Sequence, residues 1–181
     1  MSCKSYSLKG LKFNECEANL AGVEAIYLCD DYDGLTFSGD TTGLTISALS
    51  GATFYKYELD EQVGYLTSTA SVGDNGRLRY YTNEIRVAFP HLDKEKHAEF
   101  VALTHNPVKA IVKDNNGVWH FVSIDKPLRA NDGAFAQTGQ NVDDENGYEI
   151  VLSGRSAYPS FIIEGNAQNS VIAEPAVNIG G

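Results

Sequence analysis

Between residues 77 and 124 the chain reads as a long alternating strand, a short helix and a tight hairpin. Along Arg77–Phe89, the residues Leu78, Tyr80, Thr82, Glu84, Arg86 and Ala88 alternate with Arg79, Tyr81, Asn83, Ile85, Val87 and Phe89. That is the two-residue period of a strand. Neither set is cleanly apolar, which predicts a bulge or a change of partner along the strand, or a face turned to a neighbouring subunit. Pro90 ends the ladder. Asp93 is expected to cap a helix, with Leu92 before it as half of a hydrophobic staple. The helix runs through Thr104, with His97, Phe100, Val101 and Thr104 on one face and Lys94, Lys96 and Glu99 outward. Asn106-Pro107 stops it, because proline disfavours helical geometry in the residue before it. Val108–Lys113 and Val118–Ile124 then flank Asp114-Asn115-Asn116-Gly117. Asn116-Gly117 predicts a hairpin turn, since both residues tolerate positive φ. Trp119, the only tryptophan, is expected to cover the hairpin's open end.

This segment is the expected nucleus of one mainly-β domain spanning 1–181. Residues 1–20 read as an N-terminal arm. Val23–Cys29 is β-branched and aromatic, and ends in the turn-rich Asp30-Asp31-Tyr32-Asp33-Gly34. That cluster lacks the ligand spacing and closing glutamate of a calcium loop. Leu35–Gly43 is rich in Thr, Ser, Gly and Asp and reads as an extended loop. Leu44–Leu49, Ala52–Leu59 and Val63–Val72 read as strands, the last closing at Gly73-Asp74-Asn75-Gly76 in a hairpin turn. Lys126–Val142 is polar and glycine-containing, an excursion outside the core; loops of that length in compact domains tend to be functional. Gly147–Ser153 and Ser160–Glu164 form a final strand pair, and the tail from 165 to 181 is expected to fray without a partner.

The charge balance, 14 basic against 24 acidic residues and a formal net charge of −10, excludes a protein whose affinity rests on neutralising phosphates. Cys3, Cys16 and Cys29 form neither a disulfide framework nor a paired zinc pattern, which fits synthesis in a reducing cytoplasm. No run approaches the eighteen or so apolar residues of a membrane span, and the N-terminus has no signal-peptide core. No nucleophile elbow, zinc helix, phosphate loop or dinucleotide motif is present. His91, His97 and His105 are spaced by six and eight residues, which does not stack ligands on one helix face; with His120 they read as solvated or partly packed. Cys29 beside Asp30 and Asp31 has its thiolate disfavoured by like charge. The carboxylate groups Asp30/Asp31, Asp143/Asp144 and Glu58/Asp60/Glu61 sit where turns favour them for backbone reasons. Tyr55, Tyr57, Tyr80 and Tyr81 lie in strands of mixed polarity, suited to half-buried or interface positions. No catalytic, cofactor-binding or metal residue is assigned, and the expectation is a protein that is not an enzyme.

Four stretches carry a resemblance: AGVEAIYLCDDYDG, ATFYKYELDE, YYTNEIRVAFPHLDKEKHAEFVALTHNPVKAIVKDNNGVWH and QTGQNVDDENGYEIVLSG. Their order resembles phage tail tube proteins, and is similar to structural proteins of tailed phages of Bacteroidetes-type hosts. The resemblance covers most of residues 21–154. It implies an antiparallel β-sandwich or half-barrel with one flanking helix, whose copies join sheet edges into rings, commonly of six. The rings stack into a hollow tube of the virion tail that conducts DNA as non-specific cargo, alongside other tail proteins. It also implies that Gly34–Gly43 or Lys126–Val142, with residues 1–20 or 165–181, reach a neighbouring ring. Other stations for such a fold are a tail terminator, neck connector or hub. A carbohydrate-binding β-sandwich with an aromatic platform near Trp119 is the alternative of another class, and a carboxylate-pair hydrolase ranks below it.

Overall fold

Strands of two kinds dominate the computed structural model, which describes residues 10, 19–59, 64–73, 76, 79–141, 143–144 and 146–173. Central strands of the larger of two sheets, β1 and β7 in residues 23–29 and 109–114, are buried on both sides, and the remaining strands are buried on one side or exposed. An eight-stranded sheet is built from β1 (Val23–Cys29), β2 (Thr36–Asp40), β3 (Thr45–Ser50), β4 (Phe54–Glu58), β7 (Lys109–Asp114), β8 (Trp119–Val122), β12 (Phe161–Ile163) and β13 (Ile172–Ala173), in the order β13-β4-β1-β7-β8-β12-β3-β2. A five-stranded sheet holds β5 (Tyr65–Val72), β6 (Arg79–Pro90), β9 (Arg129–Ala130), β10 (Phe135–Gln137) and β11 (Gly147–Ser156), with β10-β11-β6-β5 in a row and β9 on β11. One helix, α1 (Lys94–His105), crosses from the smaller sheet to the larger. The fold is mainly β, as the alternation predicts. Most pairings are antiparallel, but β12 on β3 and β13 on β4 run parallel.

The larger sheet must curl. Only Gly51, Ala52 and Thr53 join β3 to β4, yet four strands separate the two in the sheet order. Flat, that separation would be roughly 24 Å at the usual strand spacing, whereas the connection reaches at most about 14 Å. The sheet is therefore a half-barrel with a core on each side. Ile26, Leu28, Ala110, Val112 and Val122 face the smaller sheet and meet Ile85, Val87, Phe89, Ile150 and Leu152. Ala25, Tyr27, Cys29, Ile111, Phe121 and Phe161 face the concave interior with Ile46 and Phe54. The short 3-10 helix Ala167–Ser170 laces the two ends of the curl together: Ser170 Oγ donates to Leu49 O at 2.6 Å and Phe54 N to Val171 O at 2.7 Å. Val23–Cys29 is apolar at every position but Glu24, which pairs with Lys113, because it serves both cores.

Several local expectations change. Strand β6 pairs with β5 and β11 without any register shift, so no bulge explains its mixed faces. Its inner face tolerates Asn83 because that amide is fully bonded, as described below. In α1, Asp93 caps as expected, accepting from Glu95 N at 3.0 Å. The buried face is one residue out of phase, however: Lys96 and Leu103 are buried while Val101 is exposed. Lys96 lays its aliphatic stem inward and delivers Nζ to Pro90 O at 2.8 Å, so a cationic residue supplies apolar contact. Leu92 is exposed rather than stapled.

Leu35–Gly43 contains the edge strand β2 rather than a loop. Lys126–Val142 is anchored by fully buried Leu128, which pairs with Val108, and forms β9 and β10 on β11. The expected final pair separates, β11 joining the smaller sheet and β12 the larger. Of the terminal segments, Gly10, Asn19, Leu20 and 165–173 lie within the described residues, and 165–173 is held by the 3-10 helix and β13.

The hairpin turn is also different in kind. Gly117 alone takes positive φ, at 80°, while Asp114 N bonds to Val118 O at 3.0 Å around a three-residue loop. The amides of Asn115 and Asn116 turn outward onto Asn19–Gly22: Asn116 Oδ1 accepts from Leu20 N at 2.8 Å, and Asn115 Nδ2 donates to Ala21 O at 2.7 Å. The turn is thus an anchor for the entering chain.

Candidate assembly surface

The two sheets end in edges of opposite character. On one flank the sandwich is closed: the Val108–Leu128 bridge ties the sheets together, and α1 packs on β11, with Phe100 against Tyr148 at 5.2 Å between ring centroids. On the other flank lies β5, YLTSTASV. It has no charged residue, no proline and no bulge against β6. Among the described residues no strand pairs with its second edge.

Folded proteins usually block such an edge with charge, proline, a bulge or extreme shortness. The other edges here are blocked. Strand β2 carries a bulge at Ser38/Gly39 and a terminal Asp40, and a side chain at Gly39 would come within 2.2 Å of Thr45 O, so that bulge is fixed by glycine. Strands β10 and β13 have three and two residues. An unguarded eight-residue strand in this setting is a ready-made site for a further strand.

The β5 edge is also rigidly mounted. Ser68 Oγ donates to Asn83 Oδ1 at 2.7 Å, and Asn83 Nδ2 donates to Ser123 Oγ and Tyr158 O, each at 3.3 Å. Asn83 is fully buried, and this network holds β5 to β6 and to the larger sheet. Beneath the edge lies a cavity of about 310 Å³ lined in part by Tyr65, Ser68, Asp114, His120 and Ser160. His120 Nε2 stands 3.3 Å from Asp114 Oδ2.

The solvent face of the smaller sheet carries hydroxyls and balanced charge. Arg86 pairs with Glu149, Tyr65 donates to Glu84 at 2.6 Å, and Arg155 lies over the Tyr80 ring at 5.4 Å. The bond to Glu84 holds the Tyr65 phenol above its usual range.

A groove of about 260 Å³ runs between α1 and the ends of β1 and β4. Its apolar floor includes Leu28, Tyr57, Leu103 and Val108, and its rim has Asp30, Asp93, Glu95 and Glu99. Tyr57 Oη donates to Glu99 at 2.7 Å. Burial first, then that bond and the charges of Glu99 and Asp30, push the Tyr57 phenol far above its usual range.

The remaining candidates do not converge. His91 is exposed, His97 lies against Tyr148, and His105 folds back onto Val101 O. Asp144 accepts from Gln140 N and Asn141 N, at 2.8 and 2.7 Å, as a turn cap, and those bonds lower its carboxyl. Glu58 pairs with Lys56 at 2.9 Å; Asp60 and Glu61, like Cys3 and Cys16, lie outside the described residues. Cys29 is buried, and burial ahead of the Asp30 charge raises its thiol. Tyr55 is exposed, Tyr57 buried, and Tyr80 and Tyr81 are half-buried. Trp119 packs on Tyr27 at 5.4 Å with Lys113 Nζ 5.8 Å from its ring. Among the described residues no three His, Cys, Asp or Glu side chains gather as a metal site, and no helix is long and apolar enough to cross a membrane.

Sequence reasoning read the strand but missed its open edge, which eight uncharged residues do not reveal by themselves, since Thr41–Tyr55 is also uncharged and holds the doubly paired β3. Comparison with family models, with curated proteins and with solved structures returned no match.

Proposed function

We propose that the chain is a structural subunit of a phage tail, assembling through its sheet edges into rings that stack as a tube and conduct DNA. The observation that carries this reading is β5. A long unguarded edge is a hazard in a monomer and a joining surface in an oligomer. Its counterpart cannot be β5 itself in a cyclic ring of more than two, since ring contacts are heterologous. The far end of the same sheet is heterologous to β5 but carries only the three-residue β10, so a β5–β10 join would continue the sheet from subunit to subunit through that short stretch.

Charge supports the same reading. A conduit wall must not bind phosphates, because each neutralised phosphate adds affinity and slows passage. The net charge is −10, and on the open sheet face Arg86 is met by a carboxylate and Arg155 by a ring. A glycan-binding role would use an exposed aromatic platform, whereas Trp119 is packed against Tyr27.

The test is sedimentation velocity over rising concentration, comparing the unaltered chain with Thr67→Lys/Thr69→Lys. Both threonines are exposed, so the folded subunit should be preserved. Concentration-dependent association that the lysines abolish is expected. A chain that stays monomeric throughout, or associates equally well with lysines on β5, would overturn the reading.

A further inference from the structure

We propose that Asn116 is a modification site, a one-way latch in which loss of its side-chain nitrogen as ammonia frees the entering chain Asn19–Gly22 from the β7–β8 turn. Asparagine followed by glycine is the pair most open to this reaction, because glycine has no side chain to obstruct its own amide nitrogen. The chain has such pairs at 75–76, 116–117 and 146–147. At 116–117 both residues are exposed, and the asparagine side chain also carries a contact with a distant segment.

The step needs only water. Gly117 N gives up its proton and attacks Asn116 Cγ, the Cγ–Nδ2 bond breaks, and ammonia leaves with that proton. The five-membered imide that results takes up one water at either of its carbonyls. One opening gives aspartate; the other gives isoaspartate, in which the backbone continues through the side-chain carbonyl. Either product adds one negative charge to the formal −10.

In the folded chain both reacting groups are engaged. Gly117 N donates to Asp114 O at 3.0 Å. Asp114 Oδ1 accepts from Asn116 N and Val118 N at 2.9 and 2.8 Å, which pins the turn on both sides of the pair. The carboxamide is held as well: Oδ1 accepts from Leu20 N at 2.8 Å, and Nδ2 donates to Leu20 O at 3.0 Å and Asn19 Oδ1 at 3.2 Å. Attack therefore waits on local opening of the contact with Asn19 and Leu20, and its rate follows the open fraction.

The coupling runs both ways. A carboxylate has no hydrogen to donate, so after reaction Leu20 O and Asn19 Oδ1 face a charged acceptor in place of a donor. Isoaspartate also lengthens the backbone inside the loop that Asp114 N and Val118 O close. Opening admits the reaction, and the product prevents reclosure. No second copy of the chain is needed.

The test ages the full chain in mildly alkaline buffer, with and without urea, and reads aspartate and isoaspartate at 116 and 146 by mass spectrometry. Asn116 is expected to react about tenfold or more slowly in the folded chain than in urea. Asn19→Ala/Leu20→Pro removes one acceptor and the Leu20 N–H at two exposed positions. It should speed the reaction at Asn116 by about tenfold and leave Asn146 unchanged. Equal rates with and without urea, or no acceleration in the variant, would overturn the proposal. So would equal acceleration at Asn146, which would assign the effect to unfolding of the whole subunit.

Release is read on the product. The isoaspartyl fraction, separated by its extra charge, should exchange the Leu20 amide hydrogen about tenfold faster than the unaged chain, followed by NMR. Equal protection of that amide in both would show that the modified turn still holds the entering chain, and the latch would fall.

Discussion

Replacing Asn83 with alanine should destabilise the subunit by about 3 kcal/mol or more, at about 1 kcal/mol for each hydrogen bond lost. Three bonds end on this amide: one from Ser68 Oγ and two donated to Ser123 Oγ and Tyr158 O. The Ser123 residue is itself only 1% exposed, so its hydroxyl loses a partner that water replaces poorly, and unsatisfied buried groups add to the cost. For a chain of this size the loss should lower Tm by about 6–12 °C. Urea unfolding followed by circular dichroism reads it as a lower midpoint at unchanged slope. Ser68→Ala, which removes one of the three bonds, should cost about 1 kcal/mol. Asn83→Asp should be at least as damaging as alanine, because a carboxylate has nothing to donate to Ser123 or Tyr158 and brings charge into the core. A loss below about 1 kcal/mol for Asn83→Ala would show that the network does not fasten β5, and the mounting of the edge would need another explanation.

Leu128→Ala should cost about 2–5 kcal/mol, as for a well-packed core leucine, although the surrounding Lys126–Val142 is polar; thermal denaturation reads it, and a surface-like loss below about 0.5 kcal/mol would return that segment to a loop. Tyr57 keeps its proton in the folded state at pH values where an unfolded tyrosine, with an ordinary value of 10.0, has lost it. Its contribution to stability is therefore complete below pH 10 and falls as pH rises above it. Unfolding midpoints measured from pH 9 upward should fall less steeply in Tyr57→Phe than in the parent, and identical slopes would contradict the burial of the phenol together with its bond to Glu99. Asp125 has the opposite sign. Burial alone would raise it, but bonds from Ser156 Oγ, Ala157 N and nearby backbone amides prevail and hold it below 3.8. Its contribution is present above that value and lost as pH falls through the lower folded value; Asp125→Asn should flatten acid unfolding there.

Much of the fold was legible because periodicity reports burial. Strand β1 matches the β-branched run Val23–Cys29 residue for residue, and Asp93 caps the helix where its position before Lys94 places it. Legibility failed where a residue's chemistry and its use diverge. Lys96 looks like a solvated charge, but its stem packs inward and only Nζ needs an acceptor. Asn83 looks like a break in an apolar face, but partners 15, 40 and 75 residues away satisfy it, and no local pattern displays them. The sequence Thr36–Asp40 has the composition of a loop and becomes a strand because β3 offers it an edge. Asn116-Gly117 marked a turn correctly and hid its second role, since the amide bonds to Asn19–Gly22 are set by a segment some 96 residues away. The open edge of β5 follows the same rule. The residues of β5 were visible as a strand, but its openness is a property of the finished sheet order, which places β5 last in its row.

Electron microscopy of the purified chain at high concentration, beside Thr67→Lys/Thr69→Lys, tests the central claim most directly. Rings or stacked tubes with an open lumen are predicted for the parent chain, and isolated particles of subunit size for the variant. Isolated subunits in both, or the same rings in both, would contradict assembly through the β5 edge.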